Sequence, residues 1–586
     1  MSAPASGRTI PSDRAKSVAT YTLLSDGAPV PRTFQVISIA TNREVGRIPA
    51  ATLVIVDGEA SKETFAVSDG AEFEPGKEVE IKLGYRSSEE SVFKGLVMRQ
   101  AVKVRQGGSV LVVDLKDAAE KMTCARRSRY FHDVTDSDVF EELIDAHNLD
   151  KEVESTSHAH TTVVQHHATD WDMTLCRAEA AGKLVFVEDG KVTIKAPLLS
   201  ADPVLTVQFG ATVHELDAEL DARLQLSAVK GTAWSAADQG VNDALEGADP
   251  GVPDAGNLDS ATLAAVLGEE EYRLVHGATL PDGEIQSWLD GKLLRHRLAK
   301  IRGTVTVDGT ADVKPGDFIE LLGAGERFEG KLFVTAVAQR FQEGAWKTTF
   351  QFGLDTDWFV NKFDVQAPPA GALVPGIQGL HVGVVVALEG DPDGEERIQV
   401  RVPIIHAEDE GAWCRLATLD AGAERGTWFR PDVADEVVVG FIDSDPRHGV
   451  VLGQLHSSAK PSPEAASDDN HIKGYQSREG MRLTFDDENK VVIINTPEGN
   501  SITLSESDTK VEIADQNDNK VTLDANGIKL ESAGDIVFEA SGDVKLNASG
   551  KLVAEGAQSA KLASGAGSEL ALGGTADLSG PVVNIN

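Results

Sequence analysis

The chain alternates apolar and polar residues over most of its length, and the period of the alternation changes several times. From about Ala19 to Lys116 it runs in short period-two stretches, among them Phe34-Gln-Val-Ile-Ser-Ile, Ala51-Thr-Leu-Val-Ile-Val, Glu78-Val-Glu-Ile-Lys-Leu and Val110-Leu-Val-Val-Asp-Leu. Turn-forming pieces such as Asp57-Gly and Glu74-Pro-Gly separate them. Strands with one wet and one dry face, parted by turns, predict a β-barrel or sandwich. The period then lengthens. Val139, Phe140, Leu143 and Ile144 recur at helical spacing behind Asp136-Ser137, residue types that cap helices, and a second helix is expected from Thr169-Asp-Trp-Asp to Gly182. Period two returns in Lys183-Leu-Val-Phe-Val and Lys191-Val-Thr-Ile, and again from about Val204 to Phe352. Within that second β region a Gly/Ala/Asp-rich loop is expected near 236–258 and a helix around Ile285–Leu298.

Five apolar stretches then fall within residues 379–456: His381-Val-Gly-Val-Val-Val-Ala-Leu, Arg397-Ile-Gln-Val-Arg-Val, Trp413-Cys-Arg-Leu-Ala, Glu436-Val-Val-Val-Gly-Phe and Gly449-Val-Val-Leu-Gly. Five strands in so short a span suit a small closed barrel of the OB type. The fold class expected is mainly β, with two β-barrels, a small helical insert, an OB-fold neck and a C-terminal β-helix. The division reads as a flexible tail at 1–18, a first barrel at 19–130, a helical and mixed region at 131–200 and a second barrel at 201–366. A linker at 367–378, the neck at 379–457, a second linker at 458–472 and a repeat region at 473–586 complete it.

The repeat region is poor in aromatics, yet it keeps time. Ile528, Ile536, Val544 and Leu552 recur every eight residues, and Ala560 and Ala576 continue the phase with smaller groups. Two positions later Leu530, Phe538, Leu546, Ala554, Leu562, Leu570 and Leu578 share the same period, while Gly534, Gly542, Gly550 and Gly574 mark a third phase. Each octad thus offers two apolar side chains on one strand face, followed by a residue tolerant of positive φ. One chain with so narrow a strip encloses no core. Three chains wound about a common axis do, because each supplies one wall and the three strips meet inside. Ile528, Leu530, Ile536, Phe538, Val544, Leu546, Leu552, Leu562, Leu570 and Leu578 are therefore the expected trimer core, thinning toward the C-terminus. Met481-Arg-Leu-Thr-Phe, Val491-Val-Ile-Ile, Ile502-Thr-Leu, Val511-Glu-Ile and Val521-Thr-Leu repeat the alternation less regularly and are expected to form a wider upper part.

Composition narrows the chemistry. A formal net charge of −38 argues against nucleic acid or anionic lipid as the main partner, since both select basic surfaces. Cys124, Cys176 and Cys414 lie far apart with no C-x-x-C spacing, which excludes a disulfide framework and a thiolate zinc site. The N-terminal Met-Ser-Ala-Pro-Ala-Ser-Gly-Arg has no apolar core of a secretory signal peptide.

On these residues the chain resembles the VgrG family of contractile-injection spikes, related to phage tail spikes and baseplate hub proteins. The OB segment carries the resemblance most clearly, through Ile398-Gln-Val-Arg-Val-Pro, Trp413, Gly426-Thr-Trp-Phe-Arg-Pro, Asp435-Glu-Val-Val-Val-Gly-Phe and Asp445-Pro-Arg-His-Gly-Val-Val-Leu-Gly. Ala434 stands where the family usually has glycine. Thr169-Asp-Trp-Asp and Arg177-Ala-Glu-Ala-Ala-Gly resemble the hub's helical signature, and Arg47-Ile-Pro-Ala-Ala and Phe93-Lys-Gly resemble its first barrel. The style is closer to extracellular phage-tail-like particles than to type VI spikes. The resemblance implies a homotrimer whose two barrels per chain match a hexameric tail tube and baseplate, an OB neck, and an intertwined triple-stranded β-helix (a β-prism) as needle. It also implies a PAAR-repeat cap at the tip, where Val582, Val583 and Ile585 end the chain, effector cargo as a further partner class, and transient contact with a target membrane. The protein would be made in the bacterial cytoplasm without a signal peptide and would act in an assembled particle, extracellular or delivered into a target cell.

His158, His160, His166 and His167 are the histidine cluster and the obvious metal candidates. They lack a partner cysteine or an HExxH pattern, so solvated or partly packed imidazoles are the expectation, with no metal, cofactor or catalytic residue assigned. Some phage spikes carry a C-terminal histidine pair that holds iron, but no histidine follows His471, so a tip metal would belong to a separate cap. No glycine-rich stretch fits a phosphate-binding loop, and Ser507 has no neighbouring base. The sequence thus reads as a structural spike rather than an enzyme. The alternative is a trimeric tail fibre or a surface-binding, depolymerising β-helix protein, against which the hub-like N-terminal half and the OB neck argue.

Overall fold

The computed structural model describes residues 18–268, 271–558 and 581–582 of the chain. Two compact units divide it: residues 1–378 with 442–446, and residues 379–441 with 447–586.

In the first unit the first period-two region forms β1 (Ala19–Ser25), β2 (Val36–Glu44), β3 (Ala50–Val56), β4 (Glu78–Tyr85), β5 (Ser88–Arg105) and β6 (Gly108–Lys116). They hydrogen-bond in the order β2-β3-β6-β5-β4-β1. Their inward residues, including Ile39, Leu53, Ile55, Ile81, Leu83, Phe93 and Leu111, are fully buried. Each such side chain contributes about 1.5–3 kcal/mol of transfer free energy.

The chain next forms a two-stranded ribbon and two helices: β7 (Arg126–Thr135), α1 (Asp136–Asp145), β8 (Ala159–Thr169) and α2 (Asp170–Ala180). The cap of α1 is Thr135, one residue before the expected Asp136-Ser137, because its hydroxyl and the Asp138 carboxylate exchange bonds with each other's backbone N–H in a capping box. Thr169 caps α2 as the sequence predicts, accepting from Asp172 N at 3.0 Å. The helix ends just before Gly182, whose φ of +66° a side chain would strain.

The second β region supplies β9 (Leu205–Gln208), β10 (Val213–Leu220), β11 (Ile301–Asp308), β12 (Phe318–Leu322), β13 (Gly330–Gln342) and β14 (Ala345–Phe352), with α3 (Asp282–Leu298) between β10 and β11. Its order is β10-β11-β14-β13, with β12 on β13 and β9 on β12. Val305, Ile319, Leu321, Val334, Phe350 and Phe352 form its dry interior. The stretch expected as a loop near 236–258 is not all loop: Val229–Ser235 pairs with Gly240–Val241 and with Leu245–Glu246.

The two β regions are one hydrogen-bonded sheet. β13 pairs with β2 from Ala336↔Glu44 to Gln342↔Ser38, which makes a continuous sheet of thirteen strands. Phe341 and Trp346 from the β13–β14 hairpin belong to the core of the first region. The join also holds a buried polar network. Trp346 Nε1 donates to Gln339 Oε1 at 2.8 Å, Thr348 Oγ1 donates to the same oxygen at 2.5 Å, and Gln339 Nε2 donates to Thr310 O at 2.9 Å. These mutual bonds make the network tolerable in the interior, while Thr41 Oγ1 and Arg43 Nε on the β2 side are buried with no hydrogen-bond partner among the described residues. Gly309 lies under the Trp346 ring, where an added Cβ would sit 2.0 Å from it.

In the second unit β15 (His381–Ala387), β16 (Ile398–Arg401), β17 (Ala412–Leu416), β18 (Glu436–Phe441) and β19 (Gly449–Gln454) close into the expected five-stranded barrel, in the order β15-β16-β17-β19-β18. Its core is Val385, Ile398, Val400, Cys414, Val437, Val439 and Val451. Ala434 holds φ at +72°, a conformation glycine adopts without strain.

Within one chain the repeat region is an open sheet. Seven five-residue strands, β20 (Ile472–Gln476), β21 (Arg482–Asp486), β22 (Val491–Asn495), β23 (Ser501–Ser505), β24 (Lys510–Ala514), β25 (Lys520–Asp524) and β26 (Gly527–Glu531), run as an antiparallel meander. Residues 532–558 form no strand. A strand needs a partner ladder, and the described octads beyond Glu531 have none within one chain.

Candidate functional site

The meander places its apolar residues in register. Across the seven strands the cross-strand partners Tyr475, Leu483, Ile494, Ile502, Ile513, Val521 and Leu530 form one row. A second row, two residues away along each strand, runs Lys473, Phe485, Val492, Leu504, Val511, Leu523 and Ile528. Residues two apart point to the same side of a strand, so both rows occupy one face. The intervening positions, Gly474, Thr484, Ile493, Thr503, Glu512, Thr522 and Lys529, occupy the other face and are mostly polar.

The apolar face is uncovered. Phe485 is 44% exposed, Ile494 48%, Leu504 46% and Ile513 46%. A trough of about 620 Å³ runs along the first row past Ile494, Ile502, Ile513, Val521 and Leu530. Contiguous apolar surface of this extent marks an interaction site. The strip continues onto the barrel of the same unit, where Phe429 packs on Tyr475 with ring centroids 4.7 Å apart and Trp428 is exposed. Arg478 Nη1 meets Asp432 Oδ1 at 3.1 Å beside that contact.

Of the residues the octads single out, Ile528 and Leu530 end the two rows on β26, so the octad phase and the sheet register coincide there. Ile536, Phe538, Val544, Leu546 and Leu552 are exposed and lie outside any strand. Leu562, Leu570 and Leu578 lie outside the described residues, as do Val583 and Ile585, while Val582 is exposed. The sequence reading named the alternating stretches from Met481 to Leu523 but not the register that lines them into two rows, because loops of unequal length separate the strands.

A buried charge cluster occupies the first unit. His160 on β8 is buried, with Nε2 3.1 Å from Asp136 Oδ2 and Nδ1 3.7 Å from Glu284 Oε2. Arg177 on α2 binds Asp136 Oδ1 through Nε at 2.7 Å and Glu284 Oε1 through Nη1 at 3.1 Å. Burial would lower the Arg177 pKa, but Asp136 and Glu284 outweigh it and hold the guanidinium charged. His158 stands edge-on to His160 with ring centroids 4.6 Å apart, whereas His166 and His167 are exposed. Nearby Asp170, 1% exposed, accepts from Gln165 and His147 and faces Arg129. Burial would raise its pKa, yet these partners bring it below the usual range. Burial pushes the Cys176 thiol up to about 12 and Cys414 to about 11, so neither is a ready nucleophile at neutral pH.

Residues 381–456 match the family described as the type VI secretion system/phage-baseplate injector OB domain. Residues 15–343, more than half of the chain, match the Alg8 N-terminal domain family. The chain belongs to the Alg8 N-terminal domain family and is a VgrG-family spike protein. It is 30% identical over 127 residues to the type VI secretion system spike protein VgrG2a of Pseudomonas aeruginosa, covering 20% of this chain and 15% of that one. The spike protein VgrG3 of Vibrio cholerae is 25% identical over 126 residues, covering 20% of this chain and 12% of its own. The match thus spans about one seventh of these curated relatives at most. The spike is also similar to the solved E. coli c3393 protein, a component of the type VI secretion system, at 12% identity and a TM-score of 0.38, over 74% of this chain and 99% of that one. Its similarity to a chain of the Francisella PdpA–VgrG complex has a TM-score of 0.38 at 9% identity, over 88% of this chain and 80% of that one.

Proposed function

We propose that the chain is the structural, non-enzymatic spike at the tip of a contractile injection system, and that it works as a homotrimer. The observation that carries this reading is the uncovered two-row face of the meander, in a chain whose OB domain matches the injector family. Five-residue strands make a wall only about 17 Å wide. Two such walls laid face to face would leave their sides open to water. Three close the sides and bury both rows, and the octads from Ile528 onward extend the same strip into a narrower, intertwined needle. The thirteen-stranded sheet would dock on a hexameric tail tube and baseplate, with the neck leading to the needle. A PAAR-type cap would cover Val582, Val583 and Ile585, and effector cargo would travel with the assembly. Sheath contraction would drive the needle into a target envelope, a push that a fully paired β-prism is stiff enough to transmit. Assembly would begin in the bacterial cytoplasm, and the particle would act outside the cell or inside its target.

Sedimentation equilibrium of the full chain tests the reading. A mass of three chains at micromolar concentration is expected, and a monomer would overturn it.

A further inference from the structure

We propose that His158, His160 and Glu284 form a binding site for one divalent transition-metal ion of the zinc type in each chain. A nitrogen of each imidazole and a carboxylate oxygen of Glu284 all lie within 4.8 Å of one another. Only small side-chain movement would bring them onto one ion at the roughly 2.0–2.2 Å such ligands adopt. Two imidazoles and one carboxylate, with a fourth position left for water, are a donor set that zinc favours.

The surrounding groups are arranged as supports for such a site. Metal-bound histidines characteristically donate their second ring N–H to a carboxylate, which fixes the tautomer and raises the basicity of the ligating nitrogen. His160 has that partner: its Nε2 lies 3.1 Å from Asp136 Oδ2, with Arg177 Nη2 also at 3.1 Å, and the tautomer that donates Nε2–H to Asp136 leaves the Nδ1 lone pair facing Glu284. Arg177 Nε holds Asp136 Oδ1 at 2.7 Å, and its Nη1 holds Glu284 Oε1 at 3.1 Å, leaving Oε2 for the ion. The backbone of α3 fits closely against His158, since a Cβ on Gly283 would lie 3.2 Å from its Nδ1. Asp136, Glu284 and Arg177 sum to one negative charge, so a dication is electrostatically acceptable despite the nearby guanidinium. The ion would tie the start of β8 to α3, segments more than 110 residues apart in sequence. It would do so wholly within the first unit, independently of the spike reading.

The test uses the full-length chain, stripped with a chelator and titrated with Zn2+ alone by calorimetry, with metal content measured by mass spectrometry. One Zn2+ per chain is expected, and Co2+ in its place should show the visible bands of a four-coordinate centre. Glu284→Gln keeps an oxygen for Arg177 but removes the anionic ligand, and His158→Gln leaves the Asp136–Arg177 pair untouched. Each should weaken Zn2+ binding about 100-fold or more, and Asp136→Asn about 10–100-fold. The exposed pair His166→Ala/His167→Ala should bind as the parent does. Binding lost in that pair, equal binding by parent and Glu284→Gln, or no stoichiometric binding by the parent would each overturn the site.

Discussion

The thirteen-stranded sheet and the seven-stranded meander are written in the same alternation of apolar and polar residues, but their apolar faces meet different fates. In the first, Ile39, Leu53, Val305 and Phe350 are fully buried by other parts of the same chain, helped by a hairpin that reaches from the second β region into the core of the first. In the second, Phe485, Ile494, Leu504 and Ile513 face outward with 44–48% of their surface exposed. Strand pattern alone therefore specifies a dry face and leaves open whose atoms will dry it. Long strands with wide connections can fold back and cover themselves. Five-residue strands joined by tight loops make a ribbon too narrow to do so, and in the proposed trimer the cover comes from the other chains.

The largest expected effect breaks the comparison at the meander. Ile513→Asp sits in the middle of the first row, and three copies would bury three like charges in a shared core. Sedimentation should show a monomer while the thermal transition of the first unit stays where it was. A trimer that survives this change would mean the rows do not face each other.

The converse change is Phe350→Ala in the interior of the second β region, which should lower unfolding free energy by about 3–5 kcal/mol in a denaturant titration. Needle assembly, scored by mass, should persist under native conditions. Loss of both together would show that the two surfaces are one cooperative system.

Acidification sharpens the contrast at a smaller scale. His296 on α3 donates Nδ1–H to Leu224 O at 2.7 Å, and its buried Nε2 has no partner among the described residues. Burial lowers its pKa to about 4, below the ordinary 6.5. Between those values the unfolded chain binds the proton that the folded chain refuses. Stability is therefore complete above about pH 6.5 and falls as pH drops toward 4, with on the order of 2 kcal/mol lost between pH 7.5 and 5. Thermal melts across that range should show the slope for the first unit, and His296→Gln should flatten it.

The smallest effect concerns the neck. Ala434 pays a steric penalty at positive φ that glycine avoids, partly offset by glycine's greater freedom when unfolded. Ala434→Gly should stabilise the barrel by about 0.5–1 kcal/mol, read as a small rise in the unfolding midpoint. A fall would show that the loop depends on the methyl group.

What the sequence displayed was local. Period-two runs placed the strands from Phe34 to Leu115, Thr169 announced α2, and five apolar stretches closed as the OB barrel. The eight-residue phase of Ile528 and Leu530 continued the rows of the sheet above it. What stayed hidden was partnership across distance. Alternation says which side of β2 is dry, and nothing in it says that β13, nearly 300 residues later, lies alongside. Glu284 escaped notice for the same reason: it stands beside His160 only after α3 has packed against the region of α2 and β8.

The β2–β13 ladder also sets a clock. Ribosomes deliver roughly 5–20 residues per second, so β2 emerges about 15–60 s before the strand that will pair with it. During that interval its outer edge is an open row of backbone donors and acceptors, next to a core still missing Phe341 and Trp346. The N-terminal half of this molecule is thus born unfinished, and it needs solubility, dilution or an attending chaperone until its own later sequence arrives to complete it.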